Sequence, residues 1–281
     1  KQSLNEDLTV LILTMNEEKN LPYALENVVG WAHDVMVLDS GSQDQTQAIT
    51  ERYGAQFFYN RFETYAKQRN HALEKLPIQT DWVMFLDADE YLTQELKDEI
   101  KNTPSNAPFA GYEMKRRFHF MGRWIKHGGY YPSWLLRLFR HGKGKVMRDI
   151  NEHVHVEGTI GQLKNDFVDH NRKGLKDWLL KHIRYAEFEA KQLLNPEKES
   201  KIKAKLFGSQ SETKQWIRVN IWNAMLPPLI RPFIYYFFRY FVRFGFLDGR
   251  AGLVYHFLQG LWLQFLIDAL YIQQKFENSL K

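Results

Sequence analysis

Residues 82–92 read WVMFLDADEYL, an apolar run closed by three acids, Asp87, Asp89 and Glu90. Trp82 to Leu86 has the aromatic and branched composition of a strand buried on both faces of a parallel sheet. Open α/β sheets bind ligands just beyond the carboxyl ends of such strands, where loops converge on a crevice. Alternation in an extended chain puts Asp87 and Asp89 on one side with Ala88 between them, so two like charges face one point. A hard divalent cation, Mg²⁺ or Mn²⁺, relieves that repulsion by taking one or two carboxylates together with substrate phosphates and water. The competing reading makes these acids the approach to a helix capped by Thr93, with ELKDEI continuing at helical spacing.

The chain upstream has the pattern that would place such a strand in a doubly wound sheet. Leu8 to Leu13 reads as a first strand, and Leu21, Leu25 and Val28 share one face of the helix after it. Val35 to Leu38 reads as a second strand, followed by the tight turn Asp39-Ser40-Gly41-Ser42 and a helix closed by Gly54. QFFYN and KQRNHALEKL supply a third strand and helix before WVMFLDADE. Strands alternating with helices imply right-handed parallel β-α-β units. Asn16, Glu17, Asp39 and Asp87 then gather on the carboxyl edge. Asp39 is placed to accept hydrogen bonds from a ribose or base, while Ser42 and Asp44 read first as helix caps. No G-x-G-x-x-G turn and no Walker lysine motif occurs.

With 281 residues, 44% of them hydrophobic and 15% aromatic, the chain can bury one large domain or a domain with an appendage. The absence of cysteine excludes disulfides, thiolate metal sites and cysteine nucleophiles, and fits a reducing compartment. The opening KQSLNEDLTVLIL has too few apolar residues before its first strand for a signal peptide. The net charge of +5 suits phosphorylated substrates, anionic lipid or nucleic acid. No zinc finger, helix-turn-helix or aromatic-basic RNA motif accompanies it, and no nucleic-acid partner is expected.

In order and spacing, TMNEEKNL, VLDSGSQDQT, KQRNHAL and FLDADE resemble the nucleotide-sugar domain of family 2 inverting glycosyltransferases with the GT-A fold. LRLFR, NEHVHVEG and RFGFLDGRAG extend the likeness to bacterial lipopolysaccharide-core and surface-polysaccharide glucosyltransferases. The resemblance implies an α/β, Rossmann-like mixed sheet with helices on both faces and a UDP-sugar donor. It implies that Glu17 and Asp39 contact base and ribose, that Asn16 and Ala88 line the donor, and that Asp87 and Asp89 hold Mn²⁺ or Mg²⁺. Lys67, Arg69 and Asn70 match the helix segment near the nucleotide, where a basic residue meets phosphate or, equally, lies on a solvated face.

Transfer with inversion is a single displacement, and a carboxylate beyond the metal strand must take the acceptor proton. By position, Glu152 resembles the family's general base, with Asp149 in reserve; the competing role for Glu152 is an ion pair with Arg148 or a histidine. His153 and His155 alternate as packing residues would, and are not assigned zinc. His170 resembles the family's histidine near metal or diphosphate. Arg137 and Arg140, three apart in a strand-like run, should face different ways, Arg137 inward to phosphate or into a buried ion pair. Trp124, Tyr130, Tyr131 and Trp134 could stack on sugars, although packing suits each of them better.

The domains expected are a catalytic region over 1–195, its nucleotide-sugar half about 1–105 and its acceptor half about 106–195. A charged connection follows over 196–213, then an aromatic, basic, helical region over 214–281. Charges at Arg231, Arg239, Arg243, Asp248, Arg250 and Asp268 argue there against a bilayer-spanning helix. They suit amphipathic helices lying in the membrane interface, with arginines meeting anionic headgroups. The whole then reads as a peripheral enzyme at the cytoplasmic membrane face, with a lipid-linked saccharide as acceptor. A sugar nucleotidyltransferase should show a glycine-rich phosphate loop; a glycoside hydrolase fits the strand-end acids poorly. A non-catalytic membrane scaffold is the third alternative.

Overall fold

The computed structural model describes residues 3–146, 154–194 and 226–279. The chain divides into two units, Lys1–His119 with Pro132–Arg172, and Phe120–Tyr131 with Lys173–Lys281. In the first, β1 (Leu8–Thr14), α1 (Leu21–Val28), β2 (Asp34–Asp39), α2 (Thr46–Arg52), β3 (Gln56–Tyr59), α3 (Tyr65–Lys75) and β4 (Trp82–Asp87) follow the predicted alternation. β3, β2, β1 and β4 are adjacent and parallel. Leu8, Val10 and Ile12 pack with Leu21, Leu25 and Val28 of α1, and Leu11 packs with Ala66 and Ala72 of α3. A sheet covered on both sides thus buries both faces of β1, whose residues are mostly apolar.

The rest of this unit is built from β5 (Glu90–Leu92), α4 (Gln94–Lys101), β6 (Gly111–Phe120), β8 (Trp134–Arg140), β9 (Gly144–Val146), β10 (Val154–Val156) and β11 (Ile160–His170); a two-residue strand, β7 (Arg123–Trp124), falls in the second unit. Thr93 does cap α4, its hydroxyl accepting from the Leu96 amide at 3.3 Å. The sheet runs β3-β2-β1-β4-β8-β6-β11-β5, with β8 antiparallel to both its neighbours and β5 antiparallel to β11. β4 and β5 stand four strand spacings apart on this path, about 19 Å in a flat sheet. Only Ala88 and Asp89 separate them in sequence, and the chain from Asp87 to Glu90 can reach at most about 11 Å. The sheet therefore curls, and the Asp-x-Asp turn lies where it closes.

The second unit holds α5 (Leu175–Leu193), α6 (Arg231–Phe237), α7 (Gly249–Tyr255) and α8 (Leu263–Ser279), with π-helical turns at Phe238–Val242 and His256–Trp262. α5 packs along α8, which is why Leu175–Leu193 groups with this unit. The RFGFLDGRAG motif anchors the segment 120–131. Buried Asp248 accepts from the His127 amide at 2.9 Å and lies 2.7 Å from its Nδ1, and the Gly128 amide donates to the Arg243 carbonyl at 2.9 Å. Gly128 has φ +69°, and a Cβ there would sit 2.1 Å from the His256 ring, so only glycine fits.

Two observations bear on the expectations for this region, and the second corrects one of them. Gly245–Ser279 is, by length and composition, long and apolar enough to cross a membrane. Its Asp268 is buried against Arg231, so a charge in the sequence is not a charge on the helix surface. Arg231 and Arg239 are buried as well and do not face headgroups.

His182 offers a test of packing here. Its ring stacks on Trp178 at 3.6 Å and its Nδ1 lies 2.7 Å from the Trp178 carbonyl, and burial pushes its pKa down to about 4. An unfolded His182 would bind a proton near pH 6.5, so folding loses stability as pH falls from about 6.5 towards 4. The thermal midpoint should drop across that window, and His182→Phe should flatten the drop.

Candidate active site

Asp39 ends β2 and is 2% exposed. Its Oδ1 accepts from the Gly41 and Ser42 amides at 2.8 and 2.7 Å, and its Oδ2 from the Thr14 and Ser42 hydroxyls at 2.7 and 2.5 Å. The carboxylate thus fixes the turn whose Gly41, at φ +107°, needs a residue without a Cβ. Ser42 is spent on this turn, and Asp44 accepts from the Glu18 and Thr46 amides. Asn16, at φ +55°, donates its amide to Ser42 Oγ and accepts from the Gln43 amide, joining the loops after β1 and β2.

Glu17 is held by a residue that sequence reasoning missed. Asn20 is fully buried at the start of α1, where an asparagine reads as a helix cap. Its side chain instead donates to Glu17 Oε2 at 2.9 Å and to Asn171 Oδ1 at 3.4 Å, and accepts from the Arg172 amide at 2.8 Å. The Arg172 guanidinium lies 3.7 Å from the Tyr23 ring centre. Asn20 thereby ties the Glu17 loop to the end of β11. Asn20→Ala should cost about 1–3 kcal/mol in chemical denaturation by removing the three hydrogen bonds of a fully buried side chain.

Consecutive residues of α3 anchor three parts of the crevice. Gln68 donates to Ser40 Oγ and the Asn60 carbonyl, both at 3.1 Å. Arg69 donates to Asp87 Oδ1 at 2.8 Å and lies over the Phe85 ring. Asn70 pairs both ways with the Val146 backbone at 2.9 Å. Lys67, by contrast, pairs with Glu63 on an exposed helix face.

At the curl, Asp87 sits between two guanidiniums, Arg69 on Oδ1 and Arg137 on Oδ2, each at 2.8 Å. Arg137 also donates to buried Glu90 at 2.5 Å, and Glu90 accepts from the Asp87 amide at 2.9 Å. Arg140 turns elsewhere, to the carbonyls of Ser105, Ala107 and Phe109. Burial pushes Glu90 up to about 8 against the pull of Arg137, and the Asp87 and Asp169 charges add to the rise. Asp87 and Glu90 thus share the Arg137 guanidinium beside the crevice, with Arg69 on the far oxygen of Asp87.

Ala88 is buried in the core, and half-buried Asp89 follows it. The His170 amide donates to the Asp89 carbonyl at 2.8 Å, and the His170 ring lies 5.3 Å from His119. Burial, then the Arg172 charge, pushes the His170 pKa below its usual value. Among the described residues, no three His, Asp or Glu side chains form a closed cage for a metal ion. Both Asp87 oxygens are engaged by guanidiniums, so Asp89, with phosphate and water completing the shell, is the oxygen donor that suits Mg²⁺ or Mn²⁺.

Glu152, Asp149, Arg148 and His153 lie outside the described residues. The strands on either side, β9 and β10, pair antiparallel, and the Val146 end is the one clamped by Asn70. Tyr130 packs under Arg239, with the guanidinium 4.0 Å from its ring centre, and Trp124 meets Tyr131 edge-on.

Residues 9–167, more than half of the chain, match the family described as Glycosyl transferase family 2. The chain belongs to this family. LpsC of Rhizobium meliloti, a lipopolysaccharide core biosynthesis glycosyltransferase, is 26% identical over 266 residues, 89% of each protein. The Rickettsia conorii glycosyltransferase RC0292 is 39% identical over 100 residues, 36% of this chain and 35% of that one. Among solved structures, S. aureus TarS 1–349 with UDP-GlcNAc aligns over 95% of this chain and 92% of that one, at 16% identity and TM-score 0.47. M. tuberculosis glucosyl-3-phosphoglycerate synthase with Mn²⁺, UDP and glucosyl-3-phosphoglycerate covers 40% and 44%, at 18% identity and TM-score 0.32. The chain is thus a family 2 glycosyltransferase, and its curled mixed sheet with helices on both faces is the GT-A arrangement expected from the motifs.

Proposed function

We propose that this glycosyltransferase moves a hexose from a UDP-sugar to a hydroxyl of a lipid-linked saccharide in lipopolysaccharide or surface-polysaccharide synthesis. It works as a peripheral protein at the cytoplasmic membrane face. The observation that carries the reading is the gathering of the Glu17 loop, the Asp39 turn and the Asp87–Asp89 turn beyond adjacent parallel strands. Glu17 and Asp39 serve the nucleoside end, and Arg69 and Arg137, through Asp87, set the charge beside the diphosphate.

Asp89, with Asp87 and His170 beside it, would hold Mn²⁺ or Mg²⁺, which when bound supplies electrostatic stabilisation of the departing diphosphate. The acceptor oxygen bonds to the anomeric carbon as the carbon–oxygen bond to UDP breaks. UDP leaves with that electron pair, and the acceptor proton passes to the Glu152 carboxylate, or to Asp149 in its place. Calorimetric titration with UDP, GDP and their common sugars, with and without Mn²⁺, tests the donor site. Metal-dependent binding of UDP is the expected result, and binding of no nucleotide would overturn the reading in favour of a scaffold.

A further inference from the structure

Residues 230–247 of the second unit carry an inside-out arrangement of charge and aromatic surface. Ile230, Phe233, Phe237, Phe241, Phe244 and Leu247 recur at three- and four-residue spacing, and each is 49–58% exposed. The two arginines within α6 and its π turn point the other way. Arg231 is buried on Asp268, its Nε 2.9 Å from both carboxylate oxygens. Arg239 is buried with its Nε on the Gly128 carbonyl and its Nη1 on the hydroxyls of Tyr130 and Tyr235 and the amide oxygen of Gln259, at 2.9–3.1 Å. Between residues 230 and 247 the one exposed charge is Arg243.

In water this arrangement is unfavourable twice over, since it desolvates guanidiniums and wets phenylalanines. The second term changes sign when hydrocarbon lies outside, because the rings then meet an apolar phase, while the charges are already satisfied within the protein. A protein partner would favour a different surface, for arginine is enriched in protein interfaces and here it is withdrawn. Phe244 adds a second observation. It holds φ +59°, a strained conformation for a bulky residue, while its side chain stays 56% exposed, so the strain brings its ring no burial in this unit.

We infer that the 230–247 face is the membrane-contacting surface and that it seats in a lipid bilayer by inserting its phenylalanine ridge, with Arg243 and Arg250 at the rim meeting headgroup phosphates. The inference rests on the peripheral membrane contact proposed above and replaces arginine-led attachment with apolar insertion. Attachment should therefore tolerate salt and should not need anionic lipid.

Co-sedimentation of the full chain with phosphatidylcholine vesicles, and with vesicles also containing phosphatidylglycerol, tests it at about 0.1 M and about 1 M NaCl, where the Debye length falls from ~10 Å to ~3 Å. Binding to both vesicle types should survive high salt. Phe237→Ser with Phe241→Ser should weaken partitioning about 10-fold or more, and Arg243→Gln by less than about threefold. Circular dichroism and nucleotide titration of the same preparations should be unchanged, which separates the result from misfolding and from the donor-site reading. Binding that high salt abolishes, or that the double variant retains, overturns the inference. A dimer in vesicle-free ultracentrifugation that the double variant dissolves, without vesicle binding, assigns the ridge to a second copy of the chain and overturns it too. Absence of vesicle binding without such a dimer removes the membrane contact itself, while nucleotide binding would still uphold the transferase.

Discussion

Asp89→Ala is expected to lower sugar transfer by roughly 10³-fold or more while leaving the thermal midpoint close to that of the parent. The size follows from losing several kcal/mol of charge stabilisation at the departing diphosphate, at about 1.36 kcal/mol per decade of rate. Stability should largely survive because Asp89 is only half-buried, in the turn between β4 and β5. Its carbonyl, which accepts from the His170 amide, is still present in alanine. Asp87→Ala is a poorer experiment, since it strips buried Arg69 and half-buried Arg137 of a shared carboxylate and confounds activity with folding. Initial rates with donor and acceptor, alongside a melting curve, read both quantities; a variant that keeps metal-dependent turnover would sink the assignment of Asp89.

Glu152→Gln should reduce transfer by about 10²–10⁴-fold with UDP affinity unchanged, the loss typical of removing a general base. Asp149→Asn should have the smaller effect. The two variants discriminate because the competing role for Glu152 is an ion pair, which would affect stability more than turnover. Single-turnover rates and calorimetry of the same samples separate the chemical step from donor binding. If Asp149→Asn abolishes transfer and Glu152→Gln does not, the base moves to Asp149.

The first four strands and three helices were legible because their signals are local. Leu8 to Leu13 was expected and Leu8–Thr14 is found; Val35 to Leu38 was expected and Asp34–Asp39 is found. Each of these strands has an apolar centre, and each helix shows its buried face at three- and four-residue spacing. Four motifs in series carried the family, and residues 9–167 bear it out. β8, β6 and β11, by contrast, follow β4 across the same sheet out of chain order, and β5 ends it. Their partners lie tens of residues away, where no periodic pattern reports which strand sits beside which.

Within the site, residue types were readable and their partners were not. Asp87 invited a cation, and the protein itself brings two, Arg69 from 18 residues before it and Arg137 from 50 after it. Asn20 has the look of a helix cap, yet its side chain reaches Glu17, Asn171 and the Arg172 amide. The sequence by itself determined the strand-helix alternation, the acids at the strand ends and the family, since these follow from composition and spacing along the chain. Only the tertiary structure decided which charges are spent inside the protein, at Asp87 as at Arg231 and Arg239, because a side chain's partner is set by contacts between segments that the order of residues does not record.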